Sequence, residues 1–257
     1  MTLYYEEFGN KDAPLMVFLH GGGVSSWMWD KQVQHFNHYH CVTIDLPEHG
    51  RSNRSEKFSI DSAANKVIGI IEKLAKEKNV IVIGFSLGAQ VLVKMLSIRP
   101  CLIDRAIINS ALVKPSILYR QFIRPMVKMT YPFIKNKRFS RLQAKMLYIG
   151  EEYFQSYYHD SSQMKQQTLI GVLEENMAFT IPREFKNATT KILVTVGEKE
   201  SSMMRKSAVE LIHHNRNCTG VLFAGIGHGV MLADPDLFNR MIGNWIGAFT
   251  RSQSPSC

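Results

Sequence analysis

Short, mostly apolar runs punctuate the chain at residues 15–19, 41–44, 80–83, 105–109, 191–196 and 220–223, with polar turns between them. A continuous β-branched run such as Val80-Ile81-Val82-Ile83 has no polar face, which predicts a strand covered on both sides, as in a parallel sheet. Between these runs, apolar residues recur at helical spacing over 60–78, 87–98, 202–214 and 235–249. In the last of these, Leu237, Met241, Trp245, Ile246 and Phe249 share one face. An earlier helix, with Ser26 placed to cap it, turns Trp27, Met28, Val33 and Phe36 inward. Residues 3–8 add a strand at the start, closed by the turn Gly9-Asn10-Lys11-Asp12-Ala13-Pro14. Strands alternating with helices predict an α/β fold: a mostly parallel sheet with helices on both faces.

The pattern changes at Ser110. From 112 to 188 the chain is aromatic and basic, shows no buried strand, and reads as short helices broken near Pro115, Pro125, Pro132 and Pro182. This predicts a core of residues 1–111 and 189–257, with 112–188 inserted between two strands as a helical cap. Tyr119, Phe122, Met126, Met129, Tyr131, Phe133, Met146, Tyr148, Tyr153, Phe154, Tyr157 and Tyr158 suit an apolar group in a pocket. Helical spacing nevertheless assigns most of them to packing.

At 257 residues, with 45% hydrophobic and 21% charged positions, the chain has room for one globular α/β domain with an insertion and is not a disordered polymer. The N-terminus lacks a basic stretch followed by an apolar core, and no apolar run is long enough to cross a bilayer. A cytoplasmic location without a stable membrane anchor is the expectation. Four scattered cysteines form no CxxC pair, so neither a disulfide framework nor a metal site is expected; Cys41 and Cys218 read as small buried hydrophobes. The tail Ser254-Pro255-Ser256-Cys257 is a loose end and not a prenylation signal. The net charge of +9 is uneven: between Val113 and Lys145 there are nine Lys or Arg and no Asp or Glu. Such a segment attracts an anionic substrate or an acidic surface, or else forms a solvated helical face. Nothing in it matches a nucleic-acid-binding motif.

The chemistry gathers at strand ends. Gly84-Phe85-Ser86-Leu87-Gly88 lies between the β-branched run and a helix, where two glycines permit the sharp turn that exposes a nucleophilic serine. His20-Gly21-Gly22-Gly23 follows an apolar strand, and its glycines let backbone N–H groups face a ligand. In Asp45-Leu46-Pro47-Glu48-His49-Gly50-Arg51-Ser52, Asp45 and Arg51 anchor a loop, Gly50 permits its turn and His49 packs within it. Serine needs a base, and the base needs a carboxylate to hold its tautomer. Ser86, Glu200 and His228 each follow a strand, which puts all three at the carboxyl edge of a parallel sheet, where open α/β sheets bind ligands.

These motifs, with Gly197-Glu198-Lys199-Glu200 and Gly225-Ile226-Gly227-His228 and the order Ser, acid, His, resemble those of the α/β-hydrolase superfamily across residues 3–249, the inserted segment apart. The resemblance implies Ser86 as nucleophile, His228 as base and Glu200 as acid. Glu198 is the rival acid, and Asn109 and Ser110, which stand at the other position some relatives use, carry no carboxylate. It also implies an oxyanion hole formed by the N–H groups of Leu87 and Gly22, with Gly23 the alternative, and a sheet of seven to eight strands. His20 supports its loop, and His213 and His214 end a helix. Glu48 stands where the family usually has glycine.

The implied chemistry is hydrolysis of an ester or thioester of a small, largely apolar substrate, with no metal or organic cofactor. The alternatives are a lactone or carbon–carbon bond, an acceptor other than water, or a low-turnover sensor of a small ligand.

Overall fold

A computed structural model describes residues 2–53, 56–115 and 117–247; Phe249 and the tail 252–257 lie outside them. Seven strands form one sheet in the order β1-β3-β2-β4-β5-β6-β7: β1 Tyr5–Gly9, β2 Leu15–Leu19, β3 His40–Ile44, β4 Val80–Phe85, β5 Arg105–Asn109, β6 Lys191–Gly197 and β7 Cys218–Phe223. Only β1 runs antiparallel, pairing Tyr5 with Ile44; every other neighbouring pair is parallel. The described sheet therefore has seven strands, and its register brings Leu19, Gly84 and Ile108 level near one edge.

Both faces of the sheet are covered, which is why the central strands are apolar throughout. Leu15, Val17 and Leu19 point into one core with α2 (Ile60–Ala75) and α3 (Leu87–Ile98). Met16 and Phe18 point into the other, with Trp29, Phe36, Phe238 and Ile242. The second core is built around α1 (Asp30–His35) and a closing helix, Pro235–Gly247.

Between β5 and β6 the described residues form helices only: α4 Ile117–Thr130, α5 Lys137–Met146, α6 Glu151–Gln163 and α7 Gln166–Ala178. Beyond β6 come α8 (Ser202–His214), α9 (Val230–Ala233) and α10, the closing helix. The pair α4 and α7 has a small core of its own in Ile123, Val127 and Ile170, while Ala144, Ile149, Phe154 and Tyr157 join the second sheet core.

Four sequence expectations change. Ser25, not Ser26, occupies the N-cap position before Trp27, and its side chain makes no capping bond. The helix after the Asp45 loop ends at Ala75, short of 78, because Lys76 turns to φ +51°. Pro125 does not break its helix: it lies inside α4, with Gln121, one turn earlier, on the exposed surface. Most of the aromatics and methionines assigned to packing are instead exposed, namely Tyr119, Phe122, Met126, Met129, Phe133, Met146 and Tyr148. Helical spacing identifies a shared face without saying whether anything covers it.

Candidate active site

Ser86 ends β4 and opens α3 at φ +51°, ψ −109°, a backbone state that a side chain tolerates only when its surroundings enforce it. The enforcement comes from the flanking glycines. A Cβ on Gly88 would lie 2.4 Å from Leu19 O and 2.6 Å from His20 O, and one on Gly84 would lie 2.6 Å from Gly88 O. Strand β2, the turn and the start of α3 are thus in backbone contact, and Gly88 N–H donates to His20 O at 3.1 Å. Ser86 N–H donates to Asn109 O on β5 at 2.9 Å, tying the turn to the neighbouring strand.

The glycine loop lies across from this turn. A Cβ on Gly21 would come 3.6 Å from Ser86 Cβ, and one on Gly22 3.7 Å from Leu87 Cδ2 and 3.5 Å from Val172 Cγ1 of α7. Leu87 is the first residue of α3, where an N–H has no intrahelical acceptor. Among the described residues neither Leu87 N–H nor Gly22 N–H donates to a backbone carbonyl outside the helices and strands. Two unengaged donors therefore lie on either side of the serine turn, and Gly23 faces open space at φ +78°.

His20 is fully buried and supports this loop. Its Nε2 accepts from Leu46 N–H at 2.9 Å and its Nδ1 donates to Gly21 O at 2.7 Å, so both ring nitrogens are used by the neutral form. Burial pushes its pKa down, in agreement with that tautomer. His49 packs against it with ring centroids 5.1 Å apart, donates to Pro47 O, and is pushed down to about 3 by burial. The loop's anchors are Asp45 Oδ1, accepting from Ser26 N–H, and Asp45 Oδ2, accepting from Arg51 N–H.

His228 and Glu200 meet. His228 Nδ1 donates to Glu200 Oε2 at 2.7 Å, while the imidazole packs on Phe85, the residue before Ser86, at 4.7 Å between centroids. Glu200 Oε1 accepts from Ser110 Oγ at 2.6 Å and from Gly197 N–H at 2.8 Å. Burial alone raises the pKa of this carboxyl, but the hydrogen bonds from His228, Ser110 and Gly197 and the charge of His228 outweigh it and hold the group below its ordinary value. Glu198 is directed elsewhere: its Oε2 accepts from Gly225 N–H at 2.7 Å, two residues after β7 ends. His213 and His214 lie in the last turn of α8.

Three contributors were missed in the sequence. Ser110, which carries no carboxylate, adopts φ +55° and donates a hydrogen bond from its hydroxyl to Glu200; its place after β5 at the same edge is the available signal. Phe85 supplies the ring under His228. Tyr148, between α5 and α6, takes φ +58° and accepts Gly227 N–H at 3.0 Å, so the helical segment touches the loop carrying His228.

Further contacts hold that segment over the sheet edge. Thr168 Oγ1 of α7 donates to Glu48 Oε1 at 2.7 Å, Trp27 Nε1 donates to Asp160 Oδ2 of α6 at 2.8 Å, and Gln90 pairs with Asn176. Among the described residues no group of His, Cys, Asp and Glu is arranged to hold a metal, and no helix is long and apolar enough to cross a membrane.

The model of the alpha/beta hydrolase family matches residues 16–241. The "Putative esterase/lipase" of Haemophilus influenzae is 26% identical over 246 residues, spanning 90% of this chain and 82% of that protein. The pimeloyl-(acyl-carrier protein) methyl ester esterase of Pectobacterium carotovorum is 24% identical, spanning 94% and 97%. Among solved structures, the esterase of Exiguobacterium antarcticum superposes with a TM-score of 0.82 over 95% of both chains at 17% identity, a likeness of fold.

Proposed function

The chain belongs to the alpha/beta hydrolase family, and from that premise we propose that it is a serine hydrolase cleaving an ester or thioester of a small, largely apolar substrate through Ser86, His228 and Glu200. The observation that carries this reading is the 2.7 Å hydrogen bond from His228 Nδ1 to Glu200 Oε2, beside a serine held on a strained strand-to-helix turn.

With its Nδ1 proton held by Glu200, His228 offers the Nε2 lone pair to the Ser86 hydroxyl. Ser86 attacks the carbonyl, the negative charge on the carbonyl oxygen is taken up by the N–H groups of Gly22 and Leu87, and His228 passes the proton to the leaving alcohol or thiol. Water, activated by the same imidazole, then releases the acyl group. Glu200, with its lowered pKa, is ionised at neutral pH and stabilises the imidazolium. The scheme uses no metal or organic cofactor.

Residues 112–188 form the cap in this reading, inserted in a core of 1–111 and 189–257, and Val172 and Leu87 beside Gly22 give the acyl group apolar neighbours. Two curated relatives that span most of the chain carry esterase names, which supports ester chemistry.

Hydrolysis of p-nitrophenyl esters across acyl lengths, on wild type and Ser86→Ala, tests the proposal. Turnover lost with the substitution supports it, and the preferred length reports the pocket's depth. A folded wild type inactive on every ester overturns it.

A further inference from the structure

The exposed aromatics and methionines of α4 and α5 have a use that does not depend on the catalytic reading. Eight of the eleven exposed large hydrophobic residues among the described residues fall between Tyr119 and Tyr148. On α4 and the single turn after it, Phe122, Met126, Met129 and Phe133 are 59%, 47%, 69% and 52% exposed and recur at helical spacing. The packing of α4 is already met on another side, where Ile123 and Val127 are buried with Ile170. On α5, Ser140 and Ala144 face inward, while Leu142 and Met146 stand out among exposed Arg138, Arg141 and Lys145.

The same stretch carries nine of the chain's cations and no acid between Val113 and Lys145. Lys114, Arg124 and Arg141 pair with Glu210, Glu174 and Glu151. Arg120, Lys128, Lys135, Arg138 and Lys145 form no ion pair among the described residues. Apolar side chains at this density are uncommon on a surface that meets only water.

We propose that the outer faces of α4 and α5 dock reversibly on an anionic lipid bilayer. Phenylalanine, leucine and methionine side chains enter the boundary between headgroups and acyl chains, and methionine, unbranched and flexible, adapts to its disorder. Lysine and arginine keep their charges at the lipid phosphates while their stems lie along the apolar layer. An extended anionic surface satisfies unpaired cations spread over two successive helices. It also accepts apolar groups between them, which a polyanion such as nucleic acid does not.

Sedimentation of the full chain with phosphatidylglycerol-containing vesicles, and with pure phosphatidylcholine vesicles, tests this. Binding is expected to the anionic vesicles only and to weaken with salt. Replacing Lys135, Arg138 and Lys145 together by glutamine is expected to lower partitioning roughly a hundredfold. Replacing Phe122, Met126 and Met129 together by serine is expected to lower it by about tenfold or more. Matching thermal melts by circular dichroism keep the comparison to folded protein. If the triple apolar variant does not fold, Met129→Gln alone, at the most exposed α4 position, is expected to weaken binding by about threefold.

Equal binding to both vesicle types overturns the proposal, and so does an apolar variant that binds as tightly as wild type. A wild type that sedimentation velocity finds dimeric, and that the apolar variant converts to monomer, overturns it too, because a second copy then covers the face.

Discussion

Glu200 holds His228 by one carboxylate oxygen and is itself held by the other: Oε2 accepts from the imidazole at 2.7 Å, while Oε1 accepts from Ser110 and Gly197. Both oxygens are engaged, so neither the position nor the charge of the acid is left to solvent. Glu200→Gln is expected to lower kcat on p-nitrophenyl esters by roughly a thousandfold, since an amide neither stabilises the imidazolium nor fixes the same tautomer. Glu198→Gln, whose amide oxygen still accepts from Gly225, is expected to stay close to wild type. Steady-state kinetics of the two variants decide the matter, and the reverse ranking would transfer the role to Glu198.

The buried histidines give stability a defined dependence on acid. His49 is pushed down to about 3 from 6.5, so between those values the unfolded chain binds a proton that the folded one refuses. Its contribution is complete above about pH 6.5 and is lost as pH falls toward 3. His20, also lowered by burial, acts in the same direction. Glu200, held below its ordinary 4.5, contributes fully above that value and loses its contribution as pH falls through its folded pKa. Urea unfolding from neutral to acid pH should show stability falling from about pH 6.5 downward. The fall should be shallower in His49→Asn, and an unchanged slope in that variant would contradict the assignment.

Gly88 is where α3 meets β2. An added methyl has only backbone to press on, 2.4 Å from Leu19 O. Gly88→Ala is expected to cost about 2–3 kcal/mol of stability or more and to reduce turnover by shifting the serine turn. Gly22→Ala meets only side chains at 3.5 Å or beyond and should leave the melting temperature nearly unchanged. Thermal melts of the pair test the contrast.

Glu48 takes φ +60° in a position that suits glycine, and its carboxylate accepts from Phe58 N–H at 2.8 Å and from Thr168 of α7. Alanine there keeps the unfavourable backbone and loses both bonds; glycine loses both bonds but relieves the backbone. Glu48→Gly should therefore exceed Glu48→Ala in stability by about 1 kcal/mol. Urea midpoints with equal slopes measure the difference, and an alanine variant at least as stable would refute the strain.

Much of this arrangement was legible in the residues. The central strands were visible as apolar runs because burial on both faces removes polar positions, and the elbow was visible because only glycine at 84 and 88 lets backbone approach backbone. Helix 87–98 and helix 202–214 matched to the residue, since each ends where its periodicity does. The service of Ser110 was hidden, because a hydroxyl after a strand acquires meaning only from the carboxylate that a different strand brings beside it.

The sequence by itself determined the α/β order, the serine turn and the set of residues at one sheet edge, all of which follow from local periodicity and turn chemistry. Tertiary structure decided which glutamate faces His228. Glu198 N–H donates to Phe223 O, beyond the end of β6, which sends its carboxylate toward Gly225, while Glu200 turns back to Gly197. It also decided which apolar stripe of α4 is buried. A helical period repeats on every face that carries it, and only packing against α7 selects Ile123 and Val127 and leaves Phe122, Met126 and Met129 outside.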